Sequence, residues 1–351
     1  MPRLHPRALS AALALLAAAC GGSSSPPAEH ATALPRNVWT WVDVPGTACH
    51  DGSPTGMAVN PGDGPDVLLF LNGGGACWDA LTCLVLKTAS LGPYGRAQFE
   101  AQVGQAARSI LDRSQPESPF RQATLVFVPY CTGDVHAGDR VAAYTLAGAT
   151  TTFHHAGHAN VLADLAALGR ELPAPAKVTL AGASAGGFGT WFNLDAVHAA
   201  WPGAEVNLLD DSGPPVEAQD LDPALRDAWR AAWGLDALTD PLCPACRADP
   251  SAMVNVLAQK YPLDRLALLS SEQDAVISAY LRKTPADFQA ALLRYTADVF
   301  DELPGARHFL VPGATHTMVG DPASFTAGGQ DLWSWLSAFD AGGSAWISRG
   351  P

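Results

Sequence analysis

The segment Lys177-Val-Thr-Leu-Ala-Gly182-Ala-Ser184-Ala-Gly186-Gly187 constrains this chain more than any other. An apolar run reads as a strand, Gly182-x-Ser184-x-Gly186 turns it sharply, and a helical pattern follows from Phe188 to about Trp201. Strand, turn and helix in that order form a nucleophile elbow, in which small flanking residues let a strained turn hold a serine Oγ above a sheet edge. There the hydroxyl is open to substrate, a histidine can reach it, and the N–H groups of the next helix face a developing oxyanion. In a chain with 33 glycines the motif alone is weak; its place between a strand and a helix gives it meaning.

The flanking sequence builds a sheet around that elbow. Residues 37–44 alternate as a first strand. Val67–Leu71 and Thr124–Val128 are continuous apolar runs, as strands covered on both faces would be. The first of them breaks into Asn72-Gly73-Gly74-Gly75. Val161, Leu162, Leu165 and Leu168 mark one face of a helix over residues 160–172. Residues 205–209, 266–269 and 308–311 read as further strands, and a Trp- and Leu-rich helix over about 330–339 packs back on the sheet. Alternating strands and helices imply a mostly parallel sheet with right-handed crossovers, an α/β domain over residues 37–351. Residues 214–262 are helical but irregular and read as a cap-like insertion.

Arg3 and Arg7 precede an apolar run over residues 8–19 that is too short to span a bilayer and reads as a signal peptide. It ends in Ala17-Ala18-Ala19-Cys20, and a Gly/Ser/Pro-rich tether over residues 21–36 follows. Small residues before a cysteine and a tether after it favour lipidation of Cys20; ordinary cleavage near the alanines is the alternative. Either way the protein is exported. Of seven cysteines, six then remain: Cys49, Cys77, Cys83, Cys131, Cys243 and Cys246. An even number in an oxidising compartment implies three disulfides, among 15 possible pairings. Zinc at Cys243-Pro-Ala-Cys246 is less favoured, because no second ligand pair accompanies it. A net charge of −13 argues against nucleic acid and against docking on anionic lipid, which leaves a lipid anchor as the route to a membrane.

Serine is a poor nucleophile at neutral pH, so Ser184 needs a base and the base an orienting acid, in the chain order Ser, acid, His. Of the ten histidines, His308 and His316 follow the last insertion. His316 lies in Pro312-Gly-Ala-Thr-His316, a loop after the last strand, and is favoured over His308 inside that strand. Asp274 lies in the loop after residues 266–269 and is favoured over Glu272 and Asp211 as the acid. Oxyanion donors are expected from Ala185 and from the turn Gly73-Gly74-Gly75, which lacks the G-K-[ST] of a phosphate cradle. His154, His155 and His158 have no carboxylate spaced for a metal site and read as capping or solvated groups. Trp39, Trp41, Trp333 and Trp335 read as core, and Trp78, beside the glycine turn, as a pocket residue. No metal or cofactor is expected.

Three segments together carry a resemblance: residues 70–78 (Phe-Leu-Asn-Gly-Gly-Gly-Ala-Cys-Trp), residues 126–134 (Val-Phe-Val-Pro-Tyr-Cys-Thr-Gly-Asp) and Gly182-Ala-Ser184-Ala-Gly-Gly187. They resemble the pectin acetylesterase/Notum family of carboxylesterases, and the similarity runs on through Asp210-Asp211-Ser212-Gly213 to the histidine loop. The resemblance implies an α/β-hydrolase fold with a metal-free triad of Ser184, Asp274 and His316 and oxyanion donors at Gly74, Gly75 and Ala185. It also implies disulfides Cys49–Cys131 and Cys77–Cys83, leaving Cys243 with Cys246. Gly75-Ala76 stands where family members usually carry an aromatic residue, so the acyl pocket is expected to differ. The expected substrate is an ester, first of acetate on a polysaccharide and second of a lipid-type acyl group. A thioesterase, a peptidase or a non-catalytic binding lipoprotein on the same fold are the rival readings.

Overall fold

The computed structural model describes residues 34–350. The signal-like run, Cys20 and most of the tether lie outside the described residues. Ten strands carry the fold: β1 (Thr40–Asp43), β2 (Gly56–Asn60), β3 (Val67–Leu71), β4 (Thr124–Val128), β5 (Arg140–Leu146), β6 (Ala149–His155), β7 (Lys177–Ala183), β8 (Glu205–Asp211), β9 (Leu266–Ser271) and β10 (Ala306–Val311). Eight of them form one sheet in the order β1-β2-β4-β3-β7-β8-β9-β10. From β4 to β10 the neighbours are parallel, and β1 and β2 add an antiparallel edge. This is the α/β-hydrolase arrangement, with the switch in strand order beside the β3 and β7 ends.

The helices are α1 (Arg96–Gln102), α2 (Gly157–Glu171), α3 (Ala185–Ala200), α4 (Pro223–Trp233), α5 (Leu235–Thr239), α6 (Ala252–Lys260), α7 (Ala275–Tyr280), α8 (Pro285–Tyr295) and α9 (Leu332–Ala341). The uninterrupted apolar run of β3 follows from coverage on both sides. Leu69 and Leu71 pack with Val161 and Leu165 of α2 and Trp191 and Leu194 of α3. Leu68 and Phe70 point the other way, toward Phe309 of β10 and Trp335 and Phe339 of α9. A strand alternates its side chains between faces, so two buried faces require an apolar residue at every position.

Several expectations hold to within a few residues, and others shift. The helix after Ser184 starts at Ala185, three residues earlier than Phe188 suggests, because small residues hide the start of the apolar pattern. β2 and the hairpin β5–β6 were not evident from the sequence pattern. Most of the hairpin is exposed, so no apolar alternation marks it; Ala147 and Gly148 both take positive φ, as its two-residue turn requires. That hairpin ends in His154 and His155, directly before the N-cap Ala156 of α2. His155 is buried, bonded through Nε2 to Tyr144 Oη at 2.7 Å and through Nδ1 to the Thr132 carbonyl at 3.0 Å, so it is neither a cap nor solvated. His158, at the start of α2, bonds Asn193 Oδ1 at 2.8 Å. Residues 214–262 contribute α4, α5 and α6.

Disulfides join Cys49 to Cys131, Cys77 to Cys83 and Cys243 to Cys246. The first spans 82 residues and ties the loop after β1 to the end of β4. Such crosslinks belong to a protein that folds in an oxidising compartment.

Candidate active site

Ser184 occupies the joint between β7 and α3 with φ 59° and ψ −119°. A positive φ on a side-chain-bearing residue costs on the order of 1–3 kcal/mol, so the surroundings must enforce it. The Ser184 N–H donates to the Asp211 carbonyl at 2.7 Å, and its own carbonyl accepts from the Phe188 N–H at 3.1 Å. The turn can close this tightly only because its neighbours lack side chains: a Cβ on Gly186 would overlap the Leu71 carbonyl.

His316 lies in the loop after β10, and its Nδ1 is 2.7 Å from Asp274 Oδ2. Asp274 is fully buried; its Oδ1 caps α7 by accepting the N–H groups of Val276 (2.9 Å) and Ile277 (3.0 Å). One oxygen is thus held by the helix end while the other faces the imidazole. The rival residues are engaged elsewhere. Glu272 accepts from Gln289 Nε2 at 3.0 Å, and His308 lies 3.1 Å from the Asp301 carboxylate. Asp211 Oδ2 accepts the N–H groups of Met318 (2.7 Å) and Val319 (2.8 Å), so it pins the histidine loop without orienting the ring. The Ser184 hydroxyl makes no hydrogen bond to a described residue. The Asp274–His316 contact is therefore formed in this structure, and no hydrogen bond joins Ser184 to His316.

The turn after β3 faces the start of α3. At Gly75, φ is +74°, and a Cβ would strike the Tyr280 hydroxyl and the Thr88 carbonyl. The Ala76 N–H donates to Tyr280 Oη at 3.2 Å, and that hydroxyl donates to the Thr88 carbonyl. The N–H groups of Gly74 and Gly75 donate to no described residue, and Ala185 as the first residue of α3 has an N–H outside the helical ladder. His136 braces the two halves: its Nε2 is 2.9 Å from the Asn72 carbonyl, and its own carbonyl accepts from Asn193 of α3 at 2.8 Å. Burial pushes His136 down to about 4, so at neutral pH it is an uncharged N–H donor to Asn72. Neither the Tyr280 contact nor the His136 brace carries a local sequence signal, because each joins residues far apart in the chain.

Gly75, Ser184 and Ala185 open onto a cavity of about 1070 Å³, counting its mouth. Its walls are apolar, from Phe188 and Phe192 of α3, Trp229 and Trp233 of α4, Met253 of α6 and Ile277 of α7. Trp229 and Trp233 stack one helical turn apart, with centroids 5.7 Å apart. Trp78 does not line this cavity, contrary to its reading as a pocket residue. It meets Trp229 edge-on, with ring centroids 5.7 Å apart.

The end of β8 holds two adjacent buried carboxyls. Burial pushes Asp211 up to about 6, against the pull of the Val319 and Met318 amides and of His316. Burial pushes Asp210 up to about 8; the Trp191 indole N–H at 2.8 Å opposes that, the neighbouring Asp211 adds to it, and the Gly213 N–H at 2.7 Å opposes it again.

A family model described as Pectinacetylesterase matches residues 33–261. The palmitoleoyl-protein carboxylesterase NOTUM of Homo sapiens is 31% identical over 181 residues, covering 47% of this chain and 34% of that protein. The palmitoleoyl-protein carboxylesterase notum1' of Xenopus laevis is 31% identical over 176 residues, with the same coverages of 47% and 34%. The Drosophila melanogaster NOTUM is 27% identical over 234 residues, covering 61% of this chain and 33% of that protein. The matched part is thus about a third of these relatives' length.

Asp210 makes stability depend on pH in a defined direction. Its folded-state value of about 8 lies above the unfolded one, so the folded chain binds the extra proton and stability falls as pH rises toward 8. Unfolding midpoints taken between about pH 7 and 8, above the Asp211 midpoint near 6, should decline in the wild type and lie flatter in Asp210→Asn. A wild-type midpoint that rises across that interval would contradict the burial of this carboxyl.

Proposed function

The chain belongs to the pectinacetylesterase family, and we propose that it is an exported serine carboxylesterase acting through Ser184, His316 and Asp274. The observation that carries this reading is the 2.7 Å contact between Asp274 and His316 Nδ1, at the sheet edge where Ser184 is held at positive φ. The family match ends at residue 261, before both Asp274 and His316, so their roles rest on geometry. With Nδ1–H committed to Asp274, Nε2 carries the lone pair a general base needs. Ser184 Oγ attacks the ester carbonyl carbon and its proton passes to Nε2. The carbonyl oxygen becomes an oxyanion facing the N–H groups of Gly74, Gly75 and Ala185. Collapse breaks the bond to the alcohol oxygen, which takes the proton from Nε2 and leaves an acyl-Ser184. Water, deprotonated by His316, attacks that acyl group; the carboxylic acid departs and Ser184 Oγ regains its proton.

The cavity bears on the acyl group. An acetyl group would leave almost all of its apolar wall unused, whereas a longer chain would cover it. The cap-like insertion supplies much of that wall, from Trp229 and Trp233 of α4 to Met253 of α6, which supports a role for it in acyl selectivity. The apolar character of that wall supports putting a lipid-type acyl group first, ahead of the acetate expected from the sequence. The relatives' names, which specify palmitoleoyl-protein, agree with that order. Acetate on a polysaccharide is the second reading, favoured by the description of the family model.

Ser184→Ala should abolish hydrolysis of p-nitrophenyl esters, and Asp274→Asn should lower kcat by about 10³–10⁴-fold through loss of the correct tautomer. Glu272→Gln, at the rejected acid position, should stay within a few-fold of wild type; a larger loss there than at Asp274 would reassign the acid. Each buried methylene contributes about 0.8 kcal/mol, so kcat/KM should climb by up to about tenfold per two methylenes from the acetyl to the octanoyl ester. A profile that peaks at acetyl would return the proposal to a deacetylase. Lipidation at Cys20 completes the proposal: Cys20→Ala should move the exported protein from the membrane pellet to the soluble fraction, and an unchanged distribution would remove the anchor.

A further inference from the structure

An ester held at Ser184 has two arms, and the apolar cavity accounts for the acyl arm alone. On the opposite face of the sheet a second cavity, about 840 Å³ including its mouth, begins at Asn72, Ala183 and Thr317. Ala183 precedes Ser184 and Thr317 follows His316, so the cavity is lined by chain neighbours of the serine and of the histidine. Its character differs from that of the first cavity. Trp39, Phe70, Tyr94 and Phe127 give it an aromatic wall, and Asn72, Gln105 and Thr317 line it with polar groups. The side chains of those three polar residues make no hydrogen bond to a described residue. Tyr94 Oη donates to Gln102 Oε1 at 2.8 Å, which leaves the Gln102 amide N–H groups for other partners. None of the lining residues carries a charge. Arg108, directly before the lining residue Ser109, is paired at 2.9 Å with Asp321, directly after the lining residue Gly320, so its charge is already matched at the rim.

We propose that this second cavity is the alcohol subsite of the esterase and that it takes an uncharged sugar ring, ester-linked through one hydroxyl. The proposal rests on the serine-esterase reading above. A sugar ring offers apolar C–H faces to aromatic walls and a rim of hydroxyls that both donate and accept. Amide side chains can do the same, and Asn72 and Gln105 are uncommitted. A uronate polymer would bring carboxylates to a wall with no cation, in a chain of net charge −13, and would meet repulsion without compensation. A protein hydroxyl would place a peptide backbone against flat aromatic rings, with fewer hydroxyl partners for the amides.

The test compares octanoyl esters of four alcohols: methyl glucoside, methyl galacturonoside, N-acetylserine amide and p-nitrophenol. The glucoside ester should exceed the galacturonoside and serine esters in kcat/KM by at least tenfold. Gln105 is exposed, and Gln105→Trp should fill the cavity without disturbing the core. In that variant the kcat/KM ratio of the glucoside ester to the p-nitrophenyl ester should fall about tenfold through KM, and Trp39→Leu should lower it in the same direction. If the p-nitrophenyl ester is cleaved but the serine or galacturonoside ester matches the glucoside ester, the sugar assignment is overturned. Ratios unmoved in both variants would likewise overturn the subsite. Failure of all four esters in the wild type would instead overturn the serine-esterase reading beneath it.

Discussion

One residue joins the two halves of the candidate site. The Asp211 carbonyl accepts the Ser184 N–H at 2.7 Å, and the Asp211 carboxylate accepts the Met318 and Val319 N–H groups at 2.7 and 2.8 Å. The first contact helps hold the elbow at a positive φ that an isolated serine would avoid. The second fixes the loop that presents His316. Both depend on β8 lying between β7 and β9 in the sheet, so the geometry of the site is inherited from strand order. The carboxyl is fully buried, and its rise to about 6 reflects what the fold gives up to keep that joint dry.

Around that joint the chain separates two environments. On the α3 side, Phe188, Phe192, Trp229 and Trp233 enclose an apolar cavity. On the other side, past Ala183 and Thr317, aromatic rings are mixed with uncharged polar groups. Successive residues at the end of β7 face opposite sides of the sheet, so a serine at the joint stands between the two spaces.

Legibility in the sequence followed coverage. Strands buried on both faces, Val67–Leu71 and Thr124–Val128, were evident to the residue because every position must be apolar. The β5–β6 hairpin was not, since its exposed residues are under no such demand. The insertion at residues 214–262 looked irregular because it is built of short helices, α4, α5 and α6, joined by turns containing Pro and Gly. Trp78 illustrates the same limit. Its place beside the glycine turn suggested a pocket, yet it packs edge-on against Trp229 of α4, and Trp229 and not Trp78 lines the open space.

The sequence by itself determined that a strand, a tight turn and a helix would set Ser184 at a sheet edge, because only small residues satisfy that turn. It also marked His316 and Asp274 as loop residues after successive strands, because strand–loop order is written in apolar runs. What it left open, and tertiary structure decided, was which carboxylate meets which partner. Asp274, Glu272 and Asp211 all follow strands, and only the packed sheet turns Asp274 toward the imidazole, Glu272 toward Gln289 and Asp211 toward the loop backbone. The same holds for the cavities, whose walls come from residues far apart in the chain. Hydrogen-bond partners and enclosed space are properties of three-dimensional contact, and no local pattern of residues encodes them.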